Sequence, residues 1–311
     1  VALLPNSPAT GTYYARVGEF GSNATGTYSF RITQTSAPVN TKFFVVDQAA
    51  DDLFRYQANG ALIDNPSLAS ANIDPKGTAA HPNGSLIWVI NADRFVYIYN
   101  NAGQYLSRWR ARGVTKPEGI ATDGTNIWIV SDGKDRVYYF AGGASFTGGT
   151  RTATASFNLN PLNTNPYGIT TNGVNLWVVD DSPTAQRVFV YDRAGIRLGL
   201  WNIATANKNP RGITIDPSNV RDIWIVNDAR SDRVFRYANA ARRISGTQQA
   251  ADSFLLAAGN SRPQGIADPP PFDSSLSVFQ TPTLAAPVEA EQSRSESLAL
   301  WITPDTRNNL L

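Results

Sequence analysis

Pro117-Glu-Gly-Ile-Ala-Thr-Asp-Gly-Thr-Asn-Ile-Trp-Ile-Val-Ser-Asp-Gly-Lys-Asp-Arg-Val-Tyr-Tyr-Phe140 is one full statement of a phrase that recurs along the chain. It reads as a short apolar strand after Pro-x-Gly, a turn at Asp123-Gly124, four consecutive apolar residues, a polar loop ending in Asp135-Arg136, and a further strand from Val137. The phrase returns as Pro166-Tyr-Gly-Ile169, Leu176-Trp-Val-Val-Asp180 and Arg187-Val-Phe-Val-Tyr191, and again as Pro210-Arg-Gly-Ile213, Ile223-Trp-Ile-Val226 and Arg233-Val-Phe-Arg-Tyr237. An earlier copy is Pro75-Lys-Gly77, Ile87-Trp-Val-Ile90 and Arg94-Phe-Val-Tyr-Ile-Tyr99. The Pro-x-Gly elements begin at 75, 117, 166, 210 and 263, in steps of 42, 49, 44 and 53 residues.

Fourth segments follow at Tyr105–Trp109, Ala155–Leu159, Arg197–Trp201 and Ser253–Leu256. Four antiparallel strands repeating every ~40–50 residues is the period of a β-propeller blade, so the fold class is all-β. The competing architecture is a β-sandwich with accidental internal similarity. Runs such as Trp-Val-Val suit strands sandwiched between neighbouring blades, and the alternating Arg-Val-Phe-x-Tyr suits a strand nearer the outside.

The ends of the repeat are complementary. Phe43-Phe-Val-Val-Asp47 and Asp52-Leu-Phe-Arg-Tyr56 read as second and third strands with no first strand before them, and Pro263-Gln-Gly-Ile-Ala267 reads as a first strand with nothing after it. Joining them closes a ring of five blades and removes two exposed edges. Six blades would require the N-terminal 35 residues to supply one more. The boundaries expected are an N-terminal β-hairpin in residues 1–38, a propeller in 41–268, and a Pro-rich linker with an extended tail in 269–311.

The phrase Pro-x-Gly-Ile, apolar-Trp-apolar-Val, Arg-Val-x-x-Tyr resembles NHL-type propeller repeats of large bacterial surface and secreted proteins, over roughly residues 41–268. The resemblance implies the fold and no single activity. The doubled Thr-Gly-Thr-Tyr at 10–13 and 25–28 resembles the last strands of bacterial pre-peptidase C-terminal domains, β-sandwiches appended to exported enzymes and surface proteins.

Among 311 residues there is no Cys and no Met, which excludes disulfides, thiolate metal sites and cysteine nucleophiles. Val1 is no translation start, so a processed product or an excerpt is expected. Absence of both sulfur side chains suits an oxidising exterior, and an extracellular or cell-surface location is expected. Five Lys against 22 Arg, five Glu against 20 Asp, 24 Gly and 19 Pro favour strands and turns over helices. The net charge of +2 gives no footing for a polyanion partner on its own, and no run of ~18 apolar residues spans a membrane.

The enzymatic reading is thin. His81, the one histidine, falls in the turn Ala-His-Pro-Asn-Gly, and no second histidine completes a metal cluster. The glycine-rich stretch Gly142–Gly149 lacks a phosphate-binding lysine and reads as a flexible connection. Asp47, Asp132, Asp180, Asp181 and Asp228, with Asn91, follow the apolar strands; equivalent positions on one propeller face would make a ring of oxygens suited to calcium, against the ordinary use of Asp and Asn in hairpin loops. Glu118 is the propeller's one glutamate and would approach the channel. A calcium-assisted hydrolase or lyase centred there is the alternative function, and no cofactor is otherwise required.

Lys76, Glu118, Tyr167, Arg211 and Gln264 vary while their surroundings repeat, the pattern of a recognition surface for a peptide or sugar, or of side chains that satisfy one another around water. Arg108-Trp-Arg-Ala-Arg112 is the densest basic patch, placed on an outermost strand where charge discourages edge pairing; nucleic acid is not an expected partner. Near the C-terminus, Ser297-Leu-Ala-Leu-Trp-Ile-Thr303 is a strand with no sequence neighbour to pair with. With the N-terminal hairpin it suggests strand addition between copies, through Tyr13, Tyr14, Tyr28 and Phe30 on one side and Leu298, Leu300, Trp301 and Ile302 on the other. The competing reading folds this tail back onto its own chain. The function expected is a non-enzymatic propeller that binds another surface protein, a glycan or further copies of itself.

Overall fold

The computed structural model describes residues 13–18, 41–216, 219–269 and 299–304. The described residues between 41 and 269 form five sheets, each built on four antiparallel strands, and each inner strand packs against the inner strands of both neighbours around one axis. Blade one is Pro263–Ala267, Phe43–Asp47, Asp52–Tyr56 and Leu62–Asp64, from the axis outward. Blade two is Pro75–Ala80, Leu86–Asn91, Phe95–Asn100 and Tyr105–Arg112; blade three is Pro117–Thr122, Ile127–Ser131, Arg136–Phe140 and Ala155–Asn158. Blade four is Pro166–Thr171, Asn175–Ser182, Ala185–Asp192 and Arg197–Ile203; blade five is Pro210–Ile215, Ile223–Asn227, Arg233–Tyr237 and Asp252–Leu255. The ring closes as the sequence predicts, with Val45 opposite Ile266 and Phe44 opposite Ala267. Lys42 reinforces the closure by bridging Asp216 of blade five (2.7 Å) and Asp268 at the end of blade one's inner strand (2.8 Å). Burial of Asp268, opposed by Lys42, pushes its carboxyl up to about 8.

The core is divided among the five blade interfaces. Trp88 and Ile90 face blade three, whereas Ile87 and Val89 face blade one. Trp128 and Val130 face blade four, and Ile127 and Ile129 face blade two. The period-two alternation of a strand thus feeds two apolar interfaces, which is why the second strands are apolar without interruption. Each such buried side chain contributes roughly 1.5–3 kcal/mol relative to exposure.

The unequal steps have a structural cause. In blades three and five the connection between third and outer strands is long, and it reaches back to the preceding blade. Thr150–Thr152 pairs parallel to residues 110–112, and Thr247–Gln248 pairs parallel to residues 202–203. These connections bury Trp109 and Trp201, the outer-strand tryptophans of blades two and four. Phe146 meets Trp109 edge-on at 5.4 Å. Two expectations are corrected here. Residues 110–112 are not at a sheet edge, and the glycine-rich stretch holds a short 3-10 turn at Gly143–Ser145 followed by that parallel strand.

A separate unit contains one two-stranded sheet, in which Tyr13–Gly18 pairs antiparallel with Ala299–Pro304. Tyr14 stands opposite Thr303, Ala15 opposite Ile302 and Val17 opposite Leu300. The terminal strand therefore pairs within its own chain. Tyr28, Phe30 and Leu298 lie outside the described residues, as does the second strand expected for the N-terminal hairpin.

Candidate functional site at the channel mouth

Loops from second to third strands, and from each outer strand to the next inner strand, emerge at one end of the propeller. There the inner strands enter the channel through Pro-x-Gly. In all five blades the register with the second strand slips at this point. Pro117 pairs with Ser131 and Gly119 with Val130, leaving Glu118 as the extra residue of a bulge. The same slip isolates Lys76 between Pro75 and Gly77, and Gln264 between Pro263 and Gly265. Tyr167 and Arg211 occupy the corresponding bulges of blades four and five. Bulges re-aim side chains, and here they gather the five variable residues at one mouth.

Immediately below lies a waist made by Gly77, Gly119, Gly168, Gly212 and Gly265. A Cβ on Gly119 would lie 2.6 Å from the Tyr167 carbonyl oxygen, and one on Gly168 would lie 2.6 Å from that of Arg211. A Cβ on Gly265 would come 2.7 Å from the Cα of Gly77, which completes the circle. The repeated glycine is fixed by this close approach of neighbouring backbones. Below the waist a cavity of about 340 Å³, its solvent-open space included, is lined by Thr78, Thr122, Thr171, Thr214, Ile266 and Asp268 among others.

At the mouth, the Arg211 guanidinium lies over the Tyr167 ring, 3.9 Å from its centroid, and 3.5 and 3.8 Å from carboxylate oxygens of Asp181 and Asp228. Lys76 pairs with Asp74 at 3.0 Å, and Lys116 with Asp132 at 3.6 Å. Gln48 donates to Asp74 and accepts from Arg262 at 3.0 Å. Glu118 is half-buried, and burial raises its carboxyl to about 7. Lys76 and Arg211 oppose that rise, while the charges of Asp132 and Asp74 add to it. Burial likewise pushes Asp181 upward against the pull of Arg211. Four of the five variable side chains are half-buried, whereas Gln264 is buried.

The expected oxygen ring resolves into two registers. Asp47, Asn91, Ser131, Asp180 and Asn227 stand opposite the prolines of the five bulges, all buried. Asp47 Oδ1 accepts from the backbone N–H of Ala49 (2.8 Å) and Ala50 (2.7 Å), and Oδ2 from that of Arg262 (2.6 Å). Asp180 accepts from Asn165 (2.8 Å) and Ser182 (3.3 Å), Asn91 from Asp74 (2.9 Å), and Asn227 from Arg233 (2.7 Å). These oxygens tie the loops that lead into and out of the mouth. Asp132, Asp181 and Asp228 belong to the next position along and face the cations of the mouth. Among the described residues no group of three or more acidic or histidine side chains has metal-holding spacing. His81 packs on Trp88 in its turn, away from this mouth.

Sequence reading missed Gln48, Asp74, Lys116 and Arg262, because loop residues adjoining a repeat carry no periodic signal. It also missed a motif that was findable. Asn72, Asn207 and Asn260, each three residues before a repeat proline, donate to the hydroxyls of Tyr99 (3.0 Å), Tyr237 (3.1 Å) and Tyr56 (3.1 Å). Asn163 donates to Tyr191 at 3.4 Å. In blade three the corresponding pair is apolar, Val114 and Phe140 in one buried cluster.

The fold and mouth define a class: a five-bladed β-propeller whose axial channel is narrowed by a glycine ring beneath a charged rim. No family model matches the sequence, and no curated protein matches it. Solved structures similar to it include a chain of a nidogen–laminin complex, 16% identical, with 73% of this chain and 97% of that one covered at a TM-score of 0.48. Another is a functionally unknown protein from Desulfotomaculum acetoxidans DSM 771, at 14% identity, 71% and 68% coverage and TM-score 0.41. A third is Myxococcus xanthus glutaminyl cyclase, at 11% identity, 62% and 74% coverage and TM-score 0.40. At such scores no activity passes from these proteins to this chain. Among the described residues no helix is long and apolar enough to cross a membrane.

Proposed function

We propose that this chain is a non-enzymatic interaction module, an NHL-type propeller working outside the cell, that recognises a partner at the bulged mouth of its channel. The observation that carries this reading is the set of five bulges, which bring five different side chains to one rim on an otherwise repeating frame. Paired cations and anions leave the rim close to neutral, with the Tyr167 ring, the Arg211 fork and the raised carboxyl of Glu118 as its chemistry. A segment of a partner protein or a sugar fits such a surface better than a highly charged ligand. The absence of Cys and Met supports the extracellular part of the reading. Peptide and glycan arrays probed with the labelled full chain test it: wild type retains a binder that Arg211→Ala loses. Failure to retain anything on either array, or equal retention by the variant, overturns it.

A second reading, self-assembly by strand exchange, is favoured by one observation. The sheet of Tyr13–Gly18 and Ala299–Pro304 has two strands among the described residues, and isolated two-stranded sheets are marginal in water. The same antiparallel register can form between the first strand of one copy and the last strand of the next, and such a head-to-tail contact propagates when it does not close.

A further inference from the structure

The arginine-rich strand of blade two, remote in role from the mouth, presents cations with no carboxylate at ion-pair distance among the described residues, Asp93 acting on Arg108 only from farther off. Arg108 and Arg110 lie on the same sheet face as Phe95 and Tyr97, by the pairings Phe95 to Arg110 and Tyr97 to Arg108. The Arg108 guanidinium sits 4.6 Å from the Phe95 centroid and 5.5 Å from that of Tyr97, and it donates to the Tyr97 hydroxyl at 2.9 Å. Arg110 lies 5.7 Å from the Phe95 centroid. Arg112 continues the same alternating face and is exposed. Among the described residues no carboxylate forms an ion pair with Arg94, Arg108, Arg110 or Arg112, in contrast to Arg55, Arg211 and Arg236. The two-residue spacing along a strand sets the Cα atoms of these three arginines about 7 Å apart in a row on one face.

We propose that this row binds an acidic polysaccharide, a chain carrying carboxylate or sulfate groups at regular intervals. The Arg108 guanidinium, stacked over the Phe95 ring and giving one N–H to the Tyr97 hydroxyl, keeps further N–H groups to meet a carboxylate or sulfate, as does that of the exposed Arg112. That stacking also uses the ring faces of Phe95 and Tyr97, so bases have no free platform there, which disfavours single-stranded nucleic acid. An acidic peptide adding as a strand is disfavoured as well, because Thr150–Thr152 already occupies the edge beside residues 110–112. At the end of the row Tyr105, 47% exposed, offers a ring against which a sugar face can pack.

The test is binding of the full chain to polygalacturonate and to dextran sulfate, with a single-stranded oligothymidylate as comparison, across a salt series. Wild type is expected to bind at least one polysaccharide, more weakly as salt rises, as counterion release requires. Arg108→Gln with Arg112→Gln is expected to weaken that binding about tenfold or more, and Arg112→Gln alone, at an exposed position, is expected to weaken it severalfold without shifting the melting temperature. The mouth variant Arg211→Ala is expected to leave it unchanged, which separates this site from the recognition site proposed above. Absence of polysaccharide binding at low salt, binding untouched by the double variant, or tighter binding to the oligothymidylate each overturns the proposal.

Discussion

The guanidinium of Arg211 lies 3.9 Å above the ring of Tyr167, although the two residues belong to different blades and are 44 positions apart. Each occupies the same place in its own repeat, inside the bulge that follows the proline. Carboxylate oxygens of Asp181 and Asp228 lie 3.5 and 3.8 Å from its nitrogens, so charge as well as the ring favours the stack. The mouth is built from a repeated backbone device that carries side chains free to differ.

Beneath it, the glycine ring should not tolerate a methyl group. Gly119→Ala places a Cβ 2.6 Å from a neighbouring carbonyl oxygen and is expected to destabilise by about 1–3 kcal/mol. Gly148→Ala, where a Cβ meets nothing within 4 Å, is the control. Calorimetry should show a melting temperature several degrees lower for the first and little change for the second. Equal effects would mean that the blades do not approach as described.

Glu118 links the mouth to pH. Its carboxyl rises from an ordinary 4.5 to about 7 on folding, so between those values the folded protein keeps a proton that the unfolded chain has lost. For this group stability is full below pH 4.5, falls as pH rises toward 7, and is level above. Glu118→Gln removes that loss. The variant should melt with wild type at pH 4.5 and above it at pH 8, and a difference that does not vary with pH would refute the assignment.

The buried Asn–Tyr pairs predict a double-mutant cycle. Asn207→Val deprives the buried Tyr237 hydroxyl of its donor and is expected to cost about 1–3 kcal/mol. Adding Tyr237→Phe copies the Val114–Phe140 solution of blade three and should restore much of the loss. Additive single effects in chemical denaturation would show that the pair is not coupled.

Removal of residues 297–311 addresses the strand-exchange reading. If copies join through Ala299–Pro304, the truncated protein should run as a folded monomer in solution-mass measurements wherever the full chain forms larger species. Identical masses for both would eliminate that mode of joining.

Much of the fold was legible in the sequence because it rests on side-chain patterning. The apolar run Ile127–Val130 announces a strand packed on both faces, and the mismatch between Phe43 and Pro263 announces the closure. The mouth was legible only as a set of odd residues at a repeated position. Why Glu118 or Arg211 projects there depends on a register slip between two strands, which neither strand encodes alone. Burial of Trp109 was likewise hidden, since its cover comes from the connection around Phe146 in the next blade. The aspartates misled as a single ring because Asp180 and Asp181, adjacent in sequence, serve different purposes: one binds the loop backbone and the other faces Arg211.

If the bulged rim is a recognition surface, the affinity of the array-selected binder for a set of single variants depends on the side chains gathered there. Lys76→Ala, Tyr167→Ala and Arg211→Ala should each weaken binding about tenfold or more, while Val174→Ser, exposed at the far end of the propeller, should not. Losses spread evenly over the set, or affinities unchanged at the rim, would contradict the account.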